Sequence, residues 1–420
     1  MDNKVQPSVT PENKNAEDNV PRKPKVNETI HSMKAVFLLE NFYGIFRCRV
    51  TEEGLIPTNK KLKFITLLIT STYALLFITM LRLLRAINGI GKIVDAIDEV
   101  PSIVIIAQYV SSTIRTSFLL SESNIRLFKS IADLDFKLHI DTNKGFYKST
   151  CRVTVICMLI LVIFHLLFAA ADLLTEDDNI PLSKIVILPI YFEQNLELSV
   201  FCLMIWMLSK RLVVINNYIA VFIKEKETKL SIFLVKDKET KEKAKEFNLI
   251  GQPSPDNMKI RDLALTYDII GETCALINNI YNFQIFMSLV ATFCYIVITI
   301  WSSLFYYMHS LGRNQDYGSL ATIIIWCTTA VVGVGMLSLS CERLLVKRNE
   351  TKVLVNKIIM DYDLPKNMRV QAKAFMELIE AWHLRIFIYD MFSVDISLML
   401  KFISVATTYL IVIIQITHFL

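Results

Sequence analysis

Seven stretches of this chain are each apolar enough and long enough to cross about 30 Å of hydrocarbon at ~1.5 Å of helix rise per residue. They run from Phe64 to Leu81, Val100 to Leu120, Val153 to Ala171, Ile185 to Leu208, Ile285 to Tyr306, Leu320 to Cys341 and Leu398 to Ile416. Backbone in lipid must satisfy its own N–H and C=O groups, so spans of this kind are helices. Composition agrees, with 53% of the 420 residues hydrophobic and a mean hydropathy of +0.43. The fold class that follows is all-α, with seven transmembrane helices.

The basic residues predict how those helices are threaded. Of 45 Lys and Arg, 39 fall in 1–63, 121–152, 209–284 and the stretch from 342 into the start of the seventh run. Only five lie in the alternate loops, and Arg115 lies inside the second run. By the positive-inside rule the topology is inverted, with the N-terminus inside and the C-terminus outside. A G-protein-coupled receptor is threaded the other way, with an acidic-Arg-Tyr triplet after its third helix and Asn-Pro-x-x-Tyr in its seventh. This sequence has neither. The net charge of +5 reflects the same loop bias, so nucleic acid is not the implied partner.

The spans divide the chain. Residues 1–63 form a cytoplasmic N-terminal segment; 1–28, rich in Asn, Lys, Pro and Glu, read as disordered. No apolar core follows a short basic start, so no cleaved signal peptide is expected. Met33 to Phe46 reads as an amphipathic stretch on the membrane surface. Helices 1–4 occupy 64–210 as a ligand-binding bundle, and 211–284 is a cytoplasmic helical extension with a mobile linker at 224–255. Helices 5 and 6 occupy 285–341, cytoplasmic anchor helices 342–395, and the seventh helix 396–420. Ile260 to Phe283 runs into the fifth span as one long helix.

In the anchor, Leu354, Val355, Ile358, Ile359 and Tyr362 share one face; Phe375, Leu378, Ile379, Trp382 and Ile386 share another beyond Pro365. Such stripes pack within one subunit or join subunits about an axis. The eight cysteines fall in spans or inner segments, so no structural disulfide is expected. The tripeptides at Asn27 and Asn349 lie on the inner side, where glycosylation is not expected.

The sequence shows no enzyme signature: no phosphate-binding Gly-rich loop, no His-Glu-x-x-His, no Cys-x-x-Cys, and six scattered histidines. No cofactor is implied. Intramembrane carboxylates make a secondary transporter the rival from another class, but no internal repeat is evident and Gly and Pro interruptions are few.

Within the fourth span, Glu193 and Glu197 lie one turn apart on one face, beside Tyr191 and Gln194. They face either a ligand or, as a structural pair, Arg or a water-filled interior. Gln108, Tyr109, His165, Trp301, Phe305 and Trp326 lie at similar depth and would complete an aromatic cleft for a drug-sized or sugar-sized molecule. Two acids among aromatics favour a cationic, alkaloid-like compound; the same acids could accept hydrogen bonds from a sugar. Arg115, nearer the inner end, is expected to anchor to a carbonyl or carboxylate.

The C-terminal stretch carries a family likeness. Thr408-Tyr409, five apolar residues and Gln415 resemble the Thr-Tyr, five hydrophobic residues, Gln-Phe pattern that closes insect gustatory receptors, with Ile416 in place of Phe. Asn279, Tyr281, Gln284, Phe392 and Asp395 are similar to that family too. A Gly often found just before the Phe is absent, with Asp390 and Met391 there instead. The resemblance implies a homotetrameric, tastant-gated, non-selective cation channel in the plasma membrane of sensory neurons. One pore helix per subunit would come from the seventh segment, and an anchor would join subunits, as in insect odorant receptors. Heteromers with related receptors fit the same plan. Helical spacing leaves two lining stripes open: Lys401, Val405, Thr408, Val412 and Gln415, or Ala406, Tyr409, Ile413 and Ile416. Gln415 and Ile416 are expected at the closed constriction.

Overall fold

Six of the seven apolar runs each lie within one helix of the computed structural model, and the second, Val100 to Leu120, passes from a helix into a π-turn; the structure describes residues 26–51, 54–88, 92–174, 181–232, 260–309 and 317–419. In chain order the elements are α1 Val26–Ser32, α2 Lys34–Phe42, β1 Arg49–Thr51, β2 Gly54–Ile56, α3 Lys60–Asn88 and α4 Lys92–Ile114. A π-turn, Arg115–Leu119, leads to α5 Ser121–Lys137, then come α6 Lys144–Leu174, α7 Pro181–Ile232, α8 Ile260–His309 and α9 Tyr317–Met360. The chain closes with α10 Lys366–Ala381, the short strands β3 Phe387–Ile388 and β4 Phe392–Ser393, and α11 Ile396–Phe419. Among the described residues, five helices pass as membrane spans by length and composition; the apolar part of α4, bent 69° from α5, makes a sixth, and Ile396–Val412 of α11 is a shorter apolar helix.

Three helices are too long for a bilayer alone. With 52, 50 and 44 residues, α7, α8 and α9 extend ~65–80 Å at ~1.5 Å per residue. Their lower halves continue out of the apolar zone and, with α5 and α10, form a packed base around Tyr267, Ile270, Val355, Ile358, Phe375 and Ile379, all buried. Arg348 closes the end of α10 by donating to the carbonyls of Ile379 (2.8 Å) and Trp382 (3.2 Å), satisfying acceptors that a helix C-terminus leaves open. Gly271 lets α8 approach this corner, because a Cβ there would lie 2.3 Å from the Trp382 ring.

Several expectations change here. Tyr362 leaves its predicted stripe because α9 ends at Met360; Tyr362 stands in the turn before Pro365 and is 76% exposed. Residues 26–28 begin α1, while 1–25 lie outside the described residues. The expected mobile linker at 224–255 is helical through Ile232, and 233–259 lie outside the description.

Met33 to Phe46 is amphipathic, with Met33, Val36 and Ile45 buried in the bundle while Leu38 and Phe42 are 71% and 70% exposed. The cause is local. Gly44, at φ +78°, reverses the chain after α2, with the Ile45 N–H donating to Glu40 O at 2.9 Å and the Gly44 N–H to Asn41 O at 3.1 Å, a Schellman closure. The chain then folds back inward and carries Arg47 with it.

A hairpin sets the start of α11. Its central residues Tyr389 and Asp390 have φ of +47° and +57°, a turn of type I′, with Asp390 where glycine would be least strained. The Phe387 and Tyr389 N–H groups donate to Asn278 and Asn282 Oδ1, at 3.2 and 3.0 Å, one turn apart on α8. Asp395 then accepts from the Ser397 N–H at 3.0 Å and the Ser393 hydroxyl at 2.7 Å. Burial pushes its carboxyl up, but the hydrogen bonds from Ser397 and Ser393 outweigh that and hold it below its ordinary value.

Candidate functional site

Tyr191, Gln194, Asn195 and Leu198 recur at i, i+3, i+4 and i+7, so they share one face of α7. Opposite them stand Ala291, Thr292 and Tyr295 of α8 and Trp326, Thr329 and Ala330 of α9, with Ile105 of α4 at the side. Three rings close the crevice: Tyr191 to Trp326 at 4.6 Å, Tyr191 to Tyr295 at 5.5 Å and Tyr295 to Trp326 at 5.3 Å between centroids. Phe168 of α6 backs Trp326 edge-on at 4.1 Å. The enclosed cavity is about 40 Å³, against ~300–1,000 Å³ for a pocket that holds a drug-sized molecule. A ligand of that size therefore has to part the rings.

The polar groups are held in place. Gln194 Nε2 donates to Ser288 Oγ at 3.3 Å, and Asn195 Nδ2 lies 3.1 Å from Tyr191 O and 3.2 Å from His165 Nε2. With His165 Nδ1 donating to Leu161 O at 3.0 Å, Nε2 is free to accept from Asn195. His165 thus reaches the crevice through Asn195 rather than lining it.

The two glutamates do not join this face. Glu193 and Glu197 are offset by about 200° from Tyr191 and Asn195 at ~100° per residue, and both are 1% exposed. Glu197 Oε2 meets Arg47 Nη2 at 2.6 Å, and Arg47 Nε bonds both oxygens of Glu40 at 2.8 and 3.0 Å. The Arg47 guanidinium lies 5.2 Å over the Tyr281 ring. Of the readings left open, ligand, Arg or a water-filled interior, the geometry selects Arg for Glu197. Burial pushes the Glu40 carboxyl up to about 7; Arg47 pulls it down, and Glu197 adds to the rise.

The remaining predicted residues scatter. Tyr109 donates to Tyr43 O at 3.2 Å and packs on Tyr73; Gln108 is buried with Oε1 unpartnered. Both lie on α4 behind Ile105. Trp301 is half-buried on α8, and the Phe305 side chain lies outside the description. Among the described residues Arg115 finds neither carbonyl nor carboxylate: its guanidinium stacks over Phe283 at 5.0 Å.

On α11, Thr408, Tyr409, Val412 and Gln415 are exposed, and the Ile416 side chain lies outside the description. Tyr409 and Phe402 meet Phe293 of α8 edge-on, at 5.5 and 6.3 Å. Only Phe402, Ala406 and Leu410 are half-buried between Lys401 and Val412, and the other residues there, Lys401, Val405, Thr408, Tyr409 and Val412 among them, are exposed.

Sequence reasoning missed Tyr295, Thr292, Asn195 and Arg47. Small and polar residues recur at Ser288, Thr292 and Tyr295 along an otherwise apolar run, a signal that a polar face was present. Arg47 gave its own, a cation between Phe46 and Cys48 in an apolar stretch.

Together these features define a class: a polytopic helical membrane protein with an aromatic crevice among its spans and a packed base. Residues 42–417 match the model of the family described as 7tm chemosensory receptor, and the chain belongs to that family of receptors, which are not enzymes. Among solved structures it is similar to the insect olfactory receptor OR5 from Machilis hrabei. With eugenol bound, the likeness has a TM-score of 0.60 at 12% identity, over 93% of this chain and 99% of that one. Without the ligand, the TM-score is 0.61 at 11% identity, with the same coverage. No curated protein matches the chain.

Proposed function

We propose that the chain is a gustatory receptor, a non-selective cation channel opened by a small plant compound that enters the crevice from outside. Four copies surround one pore, in the plasma membrane of sensory neurons. The observation that carries the reading is the triangle of Tyr191, Tyr295 and Trp326. The three rings pack edge-on or tilted against one another with centroids within 5.5 Å; once parted, their faces suit an organic cation such as an alkaloid, through cation–π attraction. Gln194, Asn195 and Thr292 orient it. Among the described residues no carboxylate lines this cavity, so ion pairing contributes nothing there and the bitter assignment rests on the rings.

A route to the pore follows α8. Tyr295 and Thr292 face the crevice while Phe293 between them touches Tyr409 and Phe402 of α11. Rings parted by a ligand rotate or shift α8, and α11 follows. Both lining stripes of α11 have exposed members, Thr408 and Val412 on the first and Tyr409 on the second; Gln415 and Ile416 stand at the constriction, and dewetting among apolar side chains keeps the pore shut.

The test expresses the chain alone in oocytes and records current against plant alkaloids and sugars. Alkaloid-evoked current is expected, and Trp326→Ala shifts its dose dependence at least tenfold to higher concentration, in line with ~2 kcal/mol for a desolvated cation–π contact. Substrate uptake without macroscopic conductance would sink the channel reading, and responses to sugars alone the bitter one. The inverted threading has its own test: a tag after Leu420 is reached by antibody on intact cells, a tag at Met1 only after permeabilisation. Reversed labelling overturns it.

A further inference from the structure

A groove of about 860 Å³ runs between α3 and α4, walled by Phe77, Leu81, Ile103, Ile106 and Val110. It opens away from the protein on a helix of which only 17% of the apolar window is buried, so lipid is what faces it. Its far end is closed by Arg115, the first residue of the π-turn. Arg115 forms no ion pair among the described residues, and its Nε is buried without a hydrogen-bond partner.

The depth of Arg115 is fixed by a neighbour. Thr58, two residues before α3 begins, donates its hydroxyl to Ser117 O at 2.9 Å, so the π-turn lies level with the start of α3. Lys63 stands there too, its ammonium 5.4 Å over Phe118, with Lys60 and Lys61 exposed beside it. An apolar channel that ends at interfacial depth in an unpaired guanidinium and lysines complements one kind of molecule.

We propose that this groove holds the acyl chain of an anionic phospholipid whose phosphate is bound by Arg115. The tail lies along the apolar wall, and the phosphate accepts from the Arg115 guanidinium at the end of the groove, a charge-assisted bond to a planar donor. Lys63 adds a second interfacial charge. The proposal needs only the membrane reading of the fold, not the channel reading.

The test is native mass spectrometry of the full chain, delipidated in detergent and exposed to phosphatidylserine or phosphatidylcholine with identical acyl chains; both carry the phosphate, but the quaternary ammonium of phosphatidylcholine cancels its charge beside Arg115 and Lys63. Wild type retains phosphatidylserine about fivefold better, the ratio for one interfacial cation at ~1 kcal/mol. Arg115→Gln abolishes that preference and Arg115→Lys keeps most of it. Ala107→Phe, which fills the groove without touching a charge, lowers retention of both lipids. Equal retention of the two lipids by wild type overturns the proposal and leaves the groove as ordinary lipid-facing or subunit-facing surface. Undiminished preference in Arg115→Gln overturns it as well. Should Arg115→Gln not fold, full retention by Ala107→Phe decides against the groove.

Discussion

Asp135 and Arg211 form one buried ion cluster, and Arg47 with Glu40, Glu193 and Glu197 forms another; all six side chains are at most 1% exposed. In the first, one acid meets one base. Arg211 Nε and Nη2 bond the two Asp135 oxygens at 2.9 and 2.7 Å, Tyr147 and Thr29 donate to the same carboxylate, and Arg211 Nη1 reaches Met207 O at 2.8 Å. It ties α1, α5, α6 and α7 together in the base. In the second, three acids face one base, and Arg47 Nη1, Glu193 Oε1 and Glu197 Oε1 have no partner. A buried network with one acid to one base and every group satisfied is rigid; one with three carboxyl groups on one guanidinium and open valences is held less firmly. The base is therefore a fixed foundation, while the polar layer among the spans has room to rearrange.

The largest expected effect breaks the first cluster. Arg211→Ala leaves Asp135 charged and buried, at a cost of about 3–5 kcal/mol; the thermal transition of detergent-solubilised protein drops by several degrees or the chain fails to reach the surface. An unchanged transition would remove the contrast altogether.

The second effect is the pH response of the other cluster. Glu40 binds its proton more tightly folded than unfolded, with its carboxyl raised to about 7. Its contribution is full below the ordinary carboxylate range and is lost as pH rises through about 7. Thermal stability falls across that window in wild type, and Glu40→Gln flattens the slope. A slope of equal size in the variant assigns it to other groups.

The smallest effect sharpens the comparison. Glu193→Gln neutralises a carboxylate with an unpartnered oxygen and changes stability by less than about 1 kcal/mol, with agonist dose dependence unchanged because the side chain faces away from the crevice. A shift like that of Trp326→Ala would return Glu193 to the binding site.

Much of this was legible from pattern alone. Length and hydropathy marked the helices that pass as spans among the described residues, and periodicity joined Ile260–Phe283 to the span above it, since a helix carries its signal along a continuous stretch. The crevice was half legible. Tyr191, Gln194 and Trp326 drew notice as polar or aromatic residues in apolar runs, yet nothing in one sequence tells which of two α7 faces turns toward α9. The Arg47 cluster was hidden because it joins residues 150 positions apart, brought together by the chain reversal at Gly44, a tertiary event with no periodic trace. The family's Asn279 is exposed, while its neighbours Asn278 and Asn282 make the hairpin bonds.

Those bonds give α11 the mechanics of a beam clamped at one end. Asn278, Asn282 and the Asp395 cap fix both the position and the rotation of its foot. Gln415 lies twenty residues farther on, ~30 Å away, so a tilt of about 5° at the clamp sweeps it through roughly 3 Å over that length. Displacement grows along the beam, so small rotations of α8 reach the far end amplified, while the foot holds the helix in register throughout.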